Sequence, residues 1–111
     1  MKLAIVGSRS IDLDPREMSK YVSPETKVLI SGGAKGIDTS AALYAKNFGI
    51  KLVEIKPDYK RYGRAAPLIR NREIIEMADK VHILWDGKSK GSKFVIEECK
   101  KIGKEYIVFL I

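Results

Sequence analysis

The sequence predicts one α/β domain: a five-stranded, mainly parallel sheet with helices on both faces, forming a three-layer sandwich. Three observations predict it. Short, nearly continuous apolar runs recur along the chain, among them "LAIV", "VLI", "HILW" and "YIVFLI". Between them lie segments whose apolar residues return at helical spacing. Polar turns bearing glycine or serine follow the strand ends. At 111 residues the chain can bury one core and not two, so residues 1–111 are read as a single domain.

The elements follow in order. Lys2 to Val6 read as the first strand, followed by "GSRS" and a short helix over Pro15–Tyr21, with Pro15 suited to a first helical turn. Lys27 to Ile30 form the second strand. From Gly36 to Phe48 the residues Ile37, Ala41, Tyr44, Ala45 and Phe48 recur at helical spacing, and Gly49 ends the helix. Leu52 to Ile55 give a third strand. A polar loop leads to a helix over Pro67–Ala78. Lys80 to Trp85 are the fourth strand. Ser92 to Ile102 form an amphipathic helix with Val95, Cys99 and Ile102 on one face, closed by Gly103; "EYIVFLI" is the fifth strand. No linker, repeat or low-complexity segment interrupts this Rossmann-like alternation.

Composition narrows the function classes. Hydrophobic residues make up 45% and charged residues 32%, an ordinary globular mixture. The apolar run near the start, Leu3–Val6, is too short for a signal peptide, and no segment has membrane-spanning character. A single cysteine, Cys99, excludes an internal disulfide and fits a reducing cytoplasm. With His82 the only histidine, the ligands of a zinc site are missing; no metal and no cofactor are expected. The net charge of +7 favours anionic ligands, but the lysines are scattered over expected helix surfaces and loops.

In open parallel sheets, ligands sit beyond the C-terminal strand ends, where strand order reverses. Three polar segments follow strand ends: "GSRS", "SGGAKGID" and "DGKSKGS". All three are expected on one rim, each leading towards a helix N-terminus, where unpaired N–H groups favour an anion. Singly they are weak signals. "GGAKG" lacks Walker spacing, and Gly32, Gly33 and Gly36 would equally serve a tight strand-to-helix turn. Asp38 suits a first helical turn on dipole grounds alone. On this rim the fork of Arg9 could hold phosphate bidentately.

"IVGSRS", "SGGAKGID", "PDYKRYGRAAPLIRNREIIEMAD" and "WDGKSKGS" occur in the order and spacing of the SLOG superfamily. The chain is most similar to its short bacterial YspA-type members, and "GSR" and "GGAKGID" also resemble the DNA-processing protein DprA. Pro67 and Leu68 depart from the Gly-Pro of similar sequences. The resemblance implies a Rossmann-like fold whose glycine-rich loops bind a nucleotide or nucleotide-derived small molecule, and a homodimer. Carried over residue by residue, it implies a first loop of Gly7, Ser8 and Arg9 and a second of Gly32, Gly33, Lys35, Gly36 and Asp38. It adds Arg70 and Asn71 at the arginine-bearing helix, and a last loop of Asp86, Gly87, Ser89, Gly91 and Ser92. In this reading Arg9, Lys35 and Arg70 neutralise phosphate, while Asp38 or Asp86 accepts from ribose hydroxyls.

Related LOG-type phosphoribohydrolases cleave the N-glycosidic bond of nucleotides with a glutamate three residues after the last loop's threonine. The equivalent here is Val95, which cannot act as a base. Glu97 and Glu98 lie roughly 200° and 300° around the helix from it. Whether chemistry occurs is left open, with Arg70 and Asp86 the candidate catalytic residues. Three readings result: a binder of a phosphate-bearing small molecule, a nucleotide hydrolase with a substitute carboxylate, and a DprA-like binder of single-stranded DNA. The third is disfavoured by the scattered lysines and the lack of aromatics interleaved with basic residues. Trp85 is either a base-stacking platform or a core-edge aromatic, and Tyr59 and Tyr62 are either loop surface or a cover over the ligand. His82 and Cys99 are expected to be packed and inert.

Overall fold

A computed structural model describes residues 1–111. Local chemistry starts and stops several elements where the sequence indicates. Asp14 caps α1 (Pro15–Met18): its carboxylate accepts the Glu17 N–H at 2.8 Å while Glu17 accepts the Asp14 N–H, a reciprocal capping box. A 3₁₀ turn over Ser19–Tyr21 continues it. Gly49 and Gly103 terminate α2 (Ile37–Phe48) and α5 (Lys90–Ile102) in the left-handed conformation.

The strands β1 (Lys2–Gly7), β2 (Val28–Ser31), β3 (Lys51–Glu54), β4 (Lys80–Trp85) and β5 (Tyr106–Leu110) form one sheet in the order β3-β2-β1-β4-β5. Every pairing is parallel, so the sheet is wholly rather than mainly parallel. Alternation along the strands builds two cores. Leu3 and Ile5 of β1 and Leu84 of β4 meet Met18, Ile37 and Ala41 on the α1/α2 face. Ala4, Val81 and Ile83 meet Ile74, Ile75, Val95 and Cys99 on the face covered by α5 and α4 (Ala66–Met77). The Rossmann-like three-layer arrangement follows. No helix is long and apolar enough to cross a membrane.

Three expectations are corrected. The polar loop before α4 holds a helical turn, α3 (Tyr59–Tyr62), capped by Asp58, and a 3₁₀ turn over Gly63–Ala65. Four residues capped through one side chain leave no apolar periodicity to detect. Ile102 is 51% exposed despite sharing a helical stripe with Val95 and Cys99, as the last residue of α5 before its glycine cap. β5 reads as a buried strand but is an edge, with Ile107, Val108 and Leu110 exposed. Composition cannot separate edge from centre; strand order does.

Candidate functional site

β1 and β4 are neighbours in space though β2 and β3 lie between them in sequence, so the order reverses there. A cavity of about 390 Å³ opens at their C-terminal ends, lined by Gly7, Arg9, Asp38, Asn71, Asp86 and Ser92 among others. A second of about 290 Å³ lies over the turn that follows β2, lined by Gly32, Gly33, Lys35 and Tyr59. Arg9, Ala34 and Arg70 line both, so the two are adjoining lobes of one site.

The floor between the lobes is built from buried charge. Arg70, on α4, is 7% exposed and donates from Nη1 to the Gly32 carbonyl at 2.7 Å and from Nε to Asn71 Oδ1 at 2.9 Å. Asp38, in the first turn of α2, is 8% exposed and accepts the Ala34 N–H at 3.1 Å. Burial raises the Asp38 pKa; the Ala34 amide and the Arg70 charge oppose it. Burial likewise lowers the Arg70 pKa, and Asp38 opposes that. These opposite charges hold the glycine turn in shape. A Cβ at Gly32 would stand 2.5 Å from Arg70 Nη1, so glycine is what admits the guanidinium.

The first and last loops are sewn together. Ser8 is buried; its Oγ accepts the Asp86 N–H at 3.0 Å and its carbonyl accepts the Ile37 N–H at 3.3 Å. Asp86 Oδ1 accepts the N–H groups of Lys88 and Ser89 at 2.8 and 2.9 Å, and Oδ2 accepts from Ser10 Oγ at 3.2 Å. Those two amides hold its carboxyl below the usual range, so it is ionised near neutrality. Ser89 caps α5, accepting the Ser92 N–H. Gly36, with φ of +73°, would carry a Cβ 2.5 Å from the Ser8 and Arg9 carbonyls, so the first two loops touch through bare backbone.

The structure thus brings most of the sequence-derived residues to one rim. Gly7, Arg9, Asp38, Arg70, Asn71, Asp86, Ser89, Gly91 and Ser92 line the larger lobe. Gly32, Gly33 and Lys35 line the smaller. Ser8, Gly36 and Gly87 line neither: Ser8 and Gly36 join loops, and Gly87 (φ +82°) turns the chain after β4. Trp85 also lies off both lobes; its Nε1–H donates to the Ser89 carbonyl at 3.0 Å and its ring packs on the α4/α5 core. Tyr59 is 57% exposed beside the smaller lobe, whereas Tyr62 faces a separate hollow under α3.

Ser10 and Ala34 belong to the site and were missed. Both lie inside the "GSRS" and "SGGAKGID" loops but carry no charge to single them out; only the folding back of those loops places them on the lobes. Val95 is fully buried, and Glu98 pairs with Arg72 at 3.6 Å away from the lobes. Cys99 is buried with its thiol pushed up to about 11 by desolvation, and is inert. His82 is buried with Nδ1 2.6 Å from the Tyr21 carbonyl, far from chemistry. No three His, Cys, Asp or Glu side chains gather closely enough to hold a metal.

Comparison with known proteins bears out the resemblance and the fold. The model of the YspA, cpYpsA-related SLOG family matches residues 18–62, the stretch carrying the glycine turn and α3. No curated protein sequence matches the chain. Among solved structures, DNA processing protein A (DprA) from Streptococcus pneumoniae is similar in fold, with a TM-score of 0.77 at 23% identity. The match covers 96% of this chain and 49% of that one, so this chain spans about half its length.

Proposed function

We propose that this SLOG-like, Rossmann-like domain binds a nucleotide or nucleotide-derived small molecule across the two lobes, phosphate in the smaller and sugar in the larger. One observation carries this reading: the acidic residues are confined to one lobe. The smaller lobe has Arg9, Lys35 and Arg70 and no acidic residue. Beside it, the Lys35 and Gly36 amides donate to no protein acceptor. The larger lobe shares Arg9 and Arg70 but adds Asp38 and Asp86 with Ser10, Ser89 and Ser92, groups that suit sugar hydroxyls. The test is thermal shift with nucleoside monophosphates, nucleosides and inorganic phosphate. Monophosphates should raise the melting temperature more than either fragment; equal shifts from phosphate alone would remove the sugar lobe.

Hydrolysis is the weaker reading. A glycosidic bond is cleaved through an oxocarbenium-like state that needs a placed carboxylate. The position used by the hydrolases is the buried Val95, and Asp86 is spent on Lys88, Ser89 and Ser10. Incubation with each common monophosphate should release no free base; steady release lost in both Arg70→Ala and Asp86→Asn would make the protein a hydrolase.

A DNA-binding reading draws on α3, a single turn and not an interleaved run, where Tyr59 and Tyr62 flank Lys60 and Arg61 and Tyr59 borders the smaller lobe. Tight, salt-resistant oligo-dT binding without any nucleotide shift would favour it. The homodimer and the cytoplasmic setting belong to the same proposal. The exposed apolar edge of β5 is a face two copies could share, and sedimentation at increasing concentration measures it.

A further inference from the structure

The geometry points to Asn71 as the specificity-determining donor of the larger lobe: its side-chain N–H₂ reads a hydrogen-bond acceptor on the uncharged part of the ligand. The inference rests on the two-lobe reading above and names what one wall of that site selects. Asn71 is 9% exposed and lines the cavity. Its Oδ1 accepts from Arg70 Nε at 2.9 Å. Guanidinium nitrogen only donates, so the atom facing it must be oxygen, and the amide cannot flip. Arg70 is in turn fixed by the Gly32 carbonyl at 2.7 Å. A chain of two hydrogen bonds therefore runs from the glycine turn to Asn71 and leaves Nδ2 as its free end.

Nδ2 donates to no protein group. Nδ2 reaches the cavity and is not sealed from solvent, so its two donors stay available unless a protein group accepts from them. The neighbouring polar groups do not: Asp86 is committed to Lys88, Ser89 and Ser10, and Ser92 to the Ser89 cap. A ligand in the larger lobe is then met by a donor already fixed in direction. Phosphate is drawn to the acid-free smaller lobe, so what Asn71 meets is a sugar oxygen or a base carbonyl or ring nitrogen. Arg70 is a positioning residue here, since it acts on the ligand through Asn71 and Gly32.

The experiment is calorimetric titration of the four ribonucleoside monophosphates and their 2′-deoxy counterparts into wild type, Asn71→Asp and Asn71→Ser. Asn71→Asp keeps an oxygen for Arg70 Nε and loses the donor; Asn71→Ser retracts the donor by shortening the side chain, without adding charge. Both should unfold cooperatively and bind the preferred monophosphate at least tenfold more weakly. If the acceptor is the sugar 2′ oxygen, the 2′-deoxy penalty seen in wild type disappears in both variants. If it is the base edge, preference among the four bases disappears instead. Either variant binding within twofold of wild type overturns the role of Asn71 and leaves the two-lobe site standing. No binding of any monophosphate to wild type removes both.

Discussion

The floor of the site and its rim use the same kinds of residue for opposite purposes. On the floor, Arg70 and Asp38 are nearly buried, and their polar atoms are engaged with Gly32, Asn71 and Ala34. On the rim, Arg9 and Lys35 are exposed and form no hydrogen bond or ion pair with the protein. The difference teaches that a cation in a binding motif is not thereby a ligand contact. Arg70 shapes the turn over which a phosphate would lie, whereas Arg9 and Lys35 have their charge still to give. Floor residues should therefore fail in stability, and rim residues in affinity.

The largest effect expected from breaking this division is at Gly36→Val. The positive φ and the two carbonyls 2.5 Å from any Cβ add strain to overpacking, together about 3 kcal/mol or more of stability. Chemical denaturation should show a strongly lowered midpoint or no folded protein. Next comes Arg70→Met, which leaves the Gly32 carbonyl unpaired and Asp38 without its countercharge, for about 3 kcal/mol by the same measurement. A near-neutral result would place Arg70 with the rim.

Rim substitutions sharpen the contrast. Lys35→Ala and Arg9→Ala should each weaken monophosphate binding by about 1.5–3 kcal/mol, with wild-type melting temperatures. If either lowers stability instead, the residue belongs to the floor. The smallest effect concerns a group outside both regions. Burial holds the His82 pKa below its ordinary 6.5, so the folded chain binds a proton less readily than the unfolded one. Stability is then full above pH 6.5 and falls as pH drops below it. Melting temperatures between about pH 7.5 and 5.5 should decline, and His82→Asn should flatten the slope. Asp38, with its pKa raised by burial, acts in the opposite sense, favouring the folded chain as pH falls towards 3.8, so the His82→Asn comparison is what isolates the histidine.

Much of the fold was legible because it rests on short-range physics. Strict alternation in β1 and β4 sends Leu3, Ile5 and Leu84 to one core and Ala4, Val81 and Ile83 to the other, and any reader of the sequence can see the pattern. Helical spacing with a closing glycine marked α2 and α5 in the same way. The site was legible as three loops after three strands, because a parallel sheet must deliver its strand ends to one side. The exposure of β5 was not legible. "YIVFLI" has the composition of a central strand, and only its place beyond β4 makes it an edge.

By itself, then, the sequence determined the alternation of strands and helices, the parallel sheet and the rim on which Arg9, Lys35, Arg70 and Asp86 meet. Tertiary structure decided what each of them does there. Ser8 and Asp86 lie 78 residues apart, and Arg70 and Gly32 lie 38 apart, so no local pattern announces their hydrogen bonds. Those bonds turn Ser8 into a stitch between loops, Asp86 into a loop anchor and Arg70 into the floor, and they leave Arg9, Lys35 and Asn71 Nδ2 with donors still to satisfy. Burial sets these roles, since a polar atom withdrawn from water must find a partner, and partners are chosen by distance in space and not along the chain.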